Sequence, residues 1–339
     1  MTSSLIITEQ HRSVFQQILN AGKSYLLSFH LSPDPDSIGS NLALAQFLRN
    51  QGKQVTVLWG ATGVVPEYDY LVRGHEVLDT PISKLDANVY DALVVLDTGS
   101  PSRSPIVSDE EQARWKNIII LDHHIGNNWE QVQGKLVDSN ATSTCELLAD
   151  LIIDHDASLI TPGIADMLKI GMWSDTRGFT RRATAAVFTL YAQLLTINPS
   201  LELIQRFEQS LKIADIPVFQ GMLETVHMVK HNGLKYALVF LPQLAGRIAS
   251  THLATDFFGR FSEVDVTCVV VAQPDEAISK ELMRFRISVR SNTARAAGLA
   301  RKIAEQLGGS GHDNASGARM DAHNKESVME QIQQAINAL

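Results

Sequence analysis

Short apolar runs alternate with helix-period segments through the first half of the chain. Tyr25-Leu-Leu-Ser-Phe29 precedes His30, and Val55-Thr-Val-Leu-Trp59 follows a helix candidate from Ser40 to Asn50 that Gly52 stops. Ala92-Leu-Val-Val-Leu96 precedes Asp97, and Ile118-Ile-Ile-Leu121 precedes Asp122. Near-continuous apolar, β-branched runs of this kind suit a parallel sheet covered on both faces rather than a half-solvated one. From about Ser143 to Leu168 the spacing turns helical, and Asp166 to Met172 leads into a predicted loop, Trp173-Ser-Asp-Thr-Arg-Gly-Phe179. Ala183 to Gly233 keeps helical spacing with no strand signal and reads as the end of one domain followed by a helical connector. A second set of strands follows: Lys235 to Leu241, Val264 to Val271 and Met283 to Arg290. The last places Arg284, Arg286, Ser288 and Arg290 on one face and Phe285, Ile287 and Val289 on the other. A helix from Ala294 to Gln306 and the run Gly308-Gly-Ser-Gly-His312 close the pattern. The expected architecture is α/β: an N-terminal parallel-sheet domain with flanking helices over 1–190, a helical connector over 191–233 and a smaller C-terminal α/β substrate-binding domain over 234–339.

Composition narrows the function classes. A chain of 339 residues that is 45% hydrophobic can bury two cores. Its two cysteines, Cys145 and Cys268, exclude a disulfide framework and fit no zinc spacing. The start, Met1-Thr-Ser-Ser-Leu-Ile-Ile, has no basic residue or signal-length apolar run, and no stretch approaches the roughly 18 apolar residues of a membrane span. A cytoplasmic protein with no membrane partner is expected. The net charge of −8 makes a long duplex a poor ligand, because tight binding of long nucleic acid draws on Lys and Arg displacing phosphate counterions. A short anion held in a local basic pocket stays open.

The chemistry lies where the apolar runs end. His30-x-x-x-Asp34-x-Asp36, Asp97, Asp122-His123-His124 and Asp175 occupy loops of the kind that carry active sites in open α/β sheets. Asp34 and Asp36 repel each other unless cations lie between them, so a metal cluster explains them better than helix capping alone. Mixed carboxylate and imidazole ligands point to Mn²⁺, with Mg²⁺ or Co²⁺ as alternatives, rather than to structural zinc. Asp97, after a fully apolar strand, must meet cations, donors or water; a turn-forming Asp before Thr98-Gly99 is the plain alternative. Of the adjacent His123 and His124, one can bind metal while the other meets substrate, with Asp122 orienting an imidazole from behind.

These motifs together resemble the DHH-family phosphoesterases, and within them the nanoRNase/pAp phosphatase type. The matching strings are His30-x-x-Pro33-Asp34-x-Asp36-x-x-Gly39-Ser40, Val95-Leu-Asp97, Asp122-His-His124 and Ser174-Asp175-Thr176 before Phe179. In the second domain Ser288-Val-Arg-Ser291 and Gly308-Gly-Ser-Gly-His312-Asp-Asn-Ala-Ser-Gly317 are similar to substrate-binding motifs of the DHH-associated domain. The resemblance implies two divalent metals, one held by His30, Asp34 and Asp97 and the other by Asp36, Asp97, His123 and Asp175. It implies a water between them that attacks phosphorus in line, with His124 on the scissile phosphate. It assigns the substrate's far phosphate or base to Arg290 and His312, with Arg286 and the backbone of Gly308, Gly309, Ser310 and Gly311 beside them. Two departures from the family pattern replace small residues by small ones, Ser310 and Ser316; a third puts Arg177 where many relatives have Gly, either as a phosphate contact or as an exposed turn residue.

The function implied is hydrolysis of short RNA or DNA oligonucleotides, linear dinucleotides and 3′-phosphoadenosine 5′-phosphate (pAp), by an enzyme that can form a homodimer. A cyclic dinucleotide phosphodiesterase and a catalytically inactive nucleotide-binding regulator are the alternatives. Acidic charge and the missing extra nucleic-acid-binding domain argue against a RecJ-type exonuclease, and the glycine-His run argues against a DHH pyrophosphatase. Asp154-His155-Asp156 is read as a solvated loop, and His227 and His231 as exposed helix residues with a zinc-like spacing but no accompanying Glu. An ordinary solvated face is the alternative for Arg284, Arg286 and Arg290.

Overall fold

The structure, a computed structural model, describes the chain apart from residues 32, 60–67, 107, 131, 210–212, 242–248 and 274–281 and the side chains of 214, 249–253 and 312. It divides into two compact units, Met1–Ser210 and Leu211–Leu339.

Among its described residues the first unit has six strands: β1 Ser24–Ser28, β2 Gln54–Leu58, β3 Val77–Leu78, β4 Ala92–Leu96, β5 Ile118–Asp122 and β6 Gly134–Val137. All pair in parallel, in the order β3-β2-β1-β4-β5-β6. The expected α/β class is the observed one. The helices are α1 Glu9–Asn20, α2 Pro35–Asn50, α3 Asp69–Val72, α4 Asp109–Ala113, α5 Thr144–Asp156, α6 Pro162–Thr176, α7 Ala185–Ile197 and α8 Glu202–Glu208. Strands β4 and β5 are buried at every position, as apolar runs sandwiched between helices must be. Chain order reverses between β1 and β4, so the loops leaving these neighbours diverge and open a crevice at the carboxyl end of the sheet.

Helix α2 begins in that crevice. Asp34 caps it by accepting from the backbone N–H groups of Asp36 and Ser37, and Pro35 fits the first turn, where no donor is needed. The helix is buried on nearly all sides and packs against α5 and α6. Gly171 of α6 makes the approach possible: a Cβ there would fall 2.7 Å from Asp36 Oδ1 and collide with the Cys145 side chain.

The second unit carries β7 His227–His231, β8 Leu234–Leu241, β9 Val266–Gln273, β10 Met283–Ser291, β11 Ser310–His312 and β12 Ala315–Ala322, with α9 Ile216–Thr225, α10 Ala249–Gly259, α11 Leu299–Gln306 and α12 Lys325–Asn337. Among the described residues the sheet order is β11-β12-β10-β9-β8-β7, in which β8 and β9 pair in parallel and the other neighbours antiparallel. Phe285, Ile287 and Val289 bury one face of β10 with Ile303 and Ile332, while Val218, Met222 and Phe258 pack on Ala237 and Val239.

Four local expectations are corrected. The connector stretch 191–233 is split: Tyr191, Leu194 and Ile204 bury their apolar faces in the first unit's core, whereas α9 and β7 belong to the second. Strand β7 lies inside the stretch read as helical, because pairing with β8 overrides a weak periodicity. Four strand residues span about 13 Å, so His227 and His231 cannot share a cation and are not helix residues. Asp154-His155-Asp156 forms the last turn of α5 rather than a loop, with Asp154 gripped by Arg12 at 2.8 and 2.9 Å. The helix expected from Ala294 starts at Leu299, after Asn292 closes a turn on Ala294 and Arg295 and Gly298 takes φ +78°.

The N-terminal segment straps onto α5. Ser4 donates its backbone N–H to Asp150 Oδ1 at 2.8 Å and its hydroxyl to Oδ2 at 2.6 Å, and the Leu5 N–H reaches Oδ2 at 2.8 Å. Burial raises the Asp150 carboxyl to about 6, against an ordinary 3.8. A folded-state value above the unfolded one means the proton stabilises the fold below about pH 4, and that contribution disappears as pH rises through 6. The stability advantage of the parent over Asp150→Asn is therefore expected to shrink between pH 4 and 7, by at most about 3 kcal/mol. Denaturant melts of both proteins across that range check it, and an advantage that grows with pH refutes it.

Candidate metal centre

The predicted ligands converge at the carboxyl end of the first sheet. His30 leaves β1, Asp34 and Asp36 open α2, Asp97 leaves β4, and Asp122, His123 and His124 end β5. Asp175 arrives differently. It lies in the last turn of α6 and not in a loop, because Thr161 and Pro162 start a helix that runs on until Arg177 turns left-handed at φ +50°. That backbone also accounts for Gly being the easier residue at 177.

Ligand atoms fall into three overlapping groups, each with its atoms within 4.8 Å of one another: His30, Asp34 and Asp97; Asp36, His123 and Asp175; and Asp97, His123 and His124. Asp97 joins the first to the third. Its Oδ2 lies 3.7 Å from His30 Nε2, while Oδ1 lies 3.5 Å from His123 Nε2 and 3.6 Å from His124 Nδ1. The residue sits at φ +56°, a conformation that costs a side-chain-bearing residue energy and that clusters at functional positions.

Each imidazole is aimed by a neighbour. His30 Nδ1 is 2.9 Å from the Leu31 carbonyl, which turns Nε2 toward Asp34 and Asp97. His123 Nδ1 faces the Ala141 carbonyl at 3.4 Å. Its Nε2 is buried without an aligned hydrogen-bond partner among the described residues, although Asp175 Oδ2 is 3.2 Å away, Asp97 Oδ1 3.5 Å and Asp36 Oδ2 3.9 Å. His124 Nδ1 is 2.8 Å from Asp122 Oδ1, and Asn127 donates to the other oxygen of that carboxylate at 2.8 Å.

Electrostatics show what the cluster lacks. Burial and then the Asp175 charge push the Asp36 carboxyl up to about 7. Burial and then the charges on Asp36, Asp34 and Asp175 push Asp97 well above the carboxylate range. Burial works against a charged His123, but the carboxylates of Asp175, Asp36 and Asp122 outweigh it and raise the ring to about 9. Protons thus stand where positive charge is wanted. An imidazole nitrogen without an aligned partner, ringed by three carboxylates, is a donor set that could hold a divalent cation.

Residues outside the sequence expectation complete the site. The backbone N–H groups of Thr144 and Cys145 donate to Asp36 at 2.7 and 2.9 Å, and the Thr144 hydroxyl donates to Asp97 Oδ1 at 3.0 Å. Ser143-Thr144 before an apolar run carries a helix-start signal, but nothing in the string points to Asp36, 108 residues away, or to Asp97, 47 residues away. Asn127 gave no signal at all.

In the second unit Arg286 and Arg290 lie half-buried on the polar face of β10, and Arg284 pairs with Asp321 at 3.0 Å. The glycine run becomes β11, in register with β12 at Ser310–Gly317, Gly311–Ser316 and His312–Ala315. A Cβ at Gly309 would fall 2.7 Å from Ala318 Cα, and one at Gly311 2.6 Å from Ser316 Cα, so these glycines have a packing reason to be glycine. The His312 side chain lies outside the described atoms. No helix among the described residues is long and apolar enough to cross a membrane.

Comparison with known proteins agrees with this geometry. Residues 25–172 match the DHH family, N-terminal domain. The chain is 28% identical over 319 residues to the bifunctional oligoribonuclease and PAP phosphatase NrnA of Thermus thermophilus, covering 91% of this chain and 88% of that one. It is 26% identical over 308 residues to the protein of the same name from Bacillus subtilis, covering 86% and 88%. An exopolyphosphatase-related protein from Bacteroides fragilis has the same fold, with a TM-score of 0.82 at 22% identity, over 98% of this chain and 97% of that one. The chain thus carries a DHH family N-terminal domain over residues 25–172 and, over most of its length, is similar to relatives named bifunctional oligoribonuclease and PAP phosphatase.

Proposed function

We propose that this protein hydrolyses short oligonucleotides and linear dinucleotides, and also pAp, with divalent metal ions, Mn²⁺ foremost, at the centre built on Asp97. The observation that carries the reading is the buried His123 Nε2 with no aligned partner beside Asp36, Asp97 and Asp175. The names of the relatives, oligoribonuclease and PAP phosphatase, support the substrate class.

His30, Asp34 and Asp97 would hold one cation, and Asp36, Asp97, His123 and Asp175 a second. Cations held by these residues would supply positive charge to a phosphoryl oxygen and offset the charge developing as phosphorus is attacked. Asp122 holds the Nδ1 edge of His124 at 2.8 Å, which supports a role in which His124 Nε2 would face the scissile phosphate and deliver a proton to the leaving oxygen. Arg286, Arg290, the Gly309–Gly311 backbone and His312 would hold a part of the substrate that does not react. Acidic total charge opposes binding along a long strand.

The test is a substrate panel at fixed Mn²⁺ and salt: pApA, pGpG, pAp, a longer RNA, cyclic dinucleotides and pyrophosphate. The linear dinucleotides and pAp are expected to turn over, with the long RNA slower per end. Preference for a cyclic dinucleotide or for pyrophosphate, or no turnover of any substrate, overturns the reading.

A further inference from the structure

We propose that Thr144 is a positioning residue of the metal centre, its hydroxyl fixing the rotation of the Asp97 carboxylate so that each oxygen faces a different ligand group. The inference rests on the metal-centre reading above and adds a residue to it.

Asp97 has to serve two directions at once. Oδ2 faces His30 Nε2 at 3.7 Å and Oδ1 faces His123 Nε2 at 3.5 Å, so a turn of the carboxylate about its Cβ–Cγ bond would spoil both alignments together. Carboxylates rotate broadly about that bond unless something holds them. The Thr144 hydroxyl, 3.0 Å from Oδ1 and fully buried, is the hydrogen-bond donor that marks one oxygen from the other. A hydroxyl donates one proton and a carboxylate oxygen offers two lone pairs, so Oδ1 keeps a lone pair for a cation.

Capping α5 does not require this hydroxyl. Ser143 caps the helix by accepting from the Glu146 N–H at 3.0 Å, and Glu146 returns to the Thr142 N–H and hydroxyl at 2.6 Å each. A threonine hydroxyl within a helix ordinarily turns back to a carbonyl of the preceding turn. At the first helical position that carbonyl lies outside the helix, and the hydroxyl crosses to β4's loop instead. The Thr144 backbone N–H meanwhile donates to Asp36 Oδ2 at 2.7 Å, so one residue touches a carboxylate from each side of the centre. Only the hydroxyl bond depends on the side chain, which makes it separable by substitution.

The experiment measures Mn²⁺ binding to the metal-depleted full-length protein, by the electron paramagnetic resonance of free Mn²⁺ and by calorimetry, for the parent, Thr144→Val and Thr144→Ser. Valine keeps the shape and the backbone bond to Asp36 but removes the donor. It is expected to weaken Mn²⁺ binding about 10- to 100-fold, the usual cost of losing an outer partner of a metal ligand, while serine restores near-parental affinity. Loss of a donor to a buried carboxylate oxygen is expected to lower the melting temperature of the metal-free protein in Thr144→Val, so the Mn²⁺ affinity, with its rescue by serine, is the readout that a purely structural role would not move. Parental affinity in Thr144→Val, or serine as weak as valine, overturns the proposal. A parent that binds no Mn²⁺ overturns the metal-centre reading instead. Should Thr144→Val not fold, Thr144→Ala is compared with Thr144→Ser in the same way.

Discussion

Asp97→Asn is expected to abolish turnover while leaving the metal-free protein more stable than the parent. The catalytic half follows from position. Asp97 stands between the His30–Asp34 pair and the His123 group, so losing its charge weakens both at once. Several kcal/mol of charge stabilisation depend on bound cations, a loss on the order of a thousandfold or more in rate. The stability half has the opposite sign. The Asp97 carboxyl is buried, and burial with the charges of Asp36, Asp34 and Asp175 holds it well above the ordinary carboxylate range, which marks its ionised form as a burden on the empty fold. Asparagine removes that burden, keeps an oxygen for the Thr144 hydroxyl, and tolerates φ +56° as well as aspartate does. Residues kept for function at a cost in stability behave this way. Rates with saturating Mn²⁺ and thermal melts in chelator check the pair of outcomes, and near-parental turnover in Asp97→Asn refutes the shared-ligand role.

Much of this centre was legible in the string, for a reason peculiar to parallel sheets. A strand buried on both faces must be apolar throughout, so a charged residue at its end stands out, and His30, Asp97 and Asp122 each follow such a run. The carboxyl ends of parallel strands lie on one edge of the sheet, which turns residues far apart in sequence into neighbours. Asp175 was legible as a residue but not as a position, because it lies on a helix whose last turn reaches back over the same edge. Thr144, Cys145 and Asn127 were out of reach for a different reason. They act through backbone N–H groups or short hydrogen bonds whose partners are set by tertiary packing, and a local string carries no trace of that. The division into units failed locally as well. The part of the expected connector from 191 to 208 looks separate until Tyr191, Leu194 and Ile204 are seen to complete the first core. In the second unit the glycine run is read as backbone that a substrate phosphate approaches. At Gly309 and Gly311 the approaching group is the backbone of β12, a packing contact that periodicity does not predict.

Substitutions in the two units are expected to separate on a substrate that lacks the remote group. Arg290 and His312 are proposed to hold a part of the nucleotide that does not react, whereas His123 offers its Nε2 to a cation amid Asp36, Asp97 and Asp175. Losing a remote contact removes binding energy shared by ground and transition states, so Arg290→Ala and His312→Ala are expected chiefly to raise KM for a linear dinucleotide. Part of the loss passes to kcat where that contact also positions the scissile phosphate. A guanidinium or imidazole contact to phosphate contributes about 1.5–3 kcal/mol, a tenfold to hundredfold change in kcat/KM for each variant. His123→Ala instead removes a ligand, and its kcat is expected to collapse on every substrate. Bis-p-nitrophenyl phosphate tells the two apart, because it carries a scissile phosphodiester and nothing for the second unit to grip. On it Arg290→Ala and His312→Ala are expected to match the parent, while His123→Ala fails as it does on the dinucleotide. The β10 position of Arg290, with Nη1 3.1 Å from the Val289 carbonyl, calls for a circular-dichroism check that its alanine variant keeps the sheet. Equal losses on both substrates for the two second-unit variants, with the sheet intact, would show that the second unit does not act as a substrate clamp.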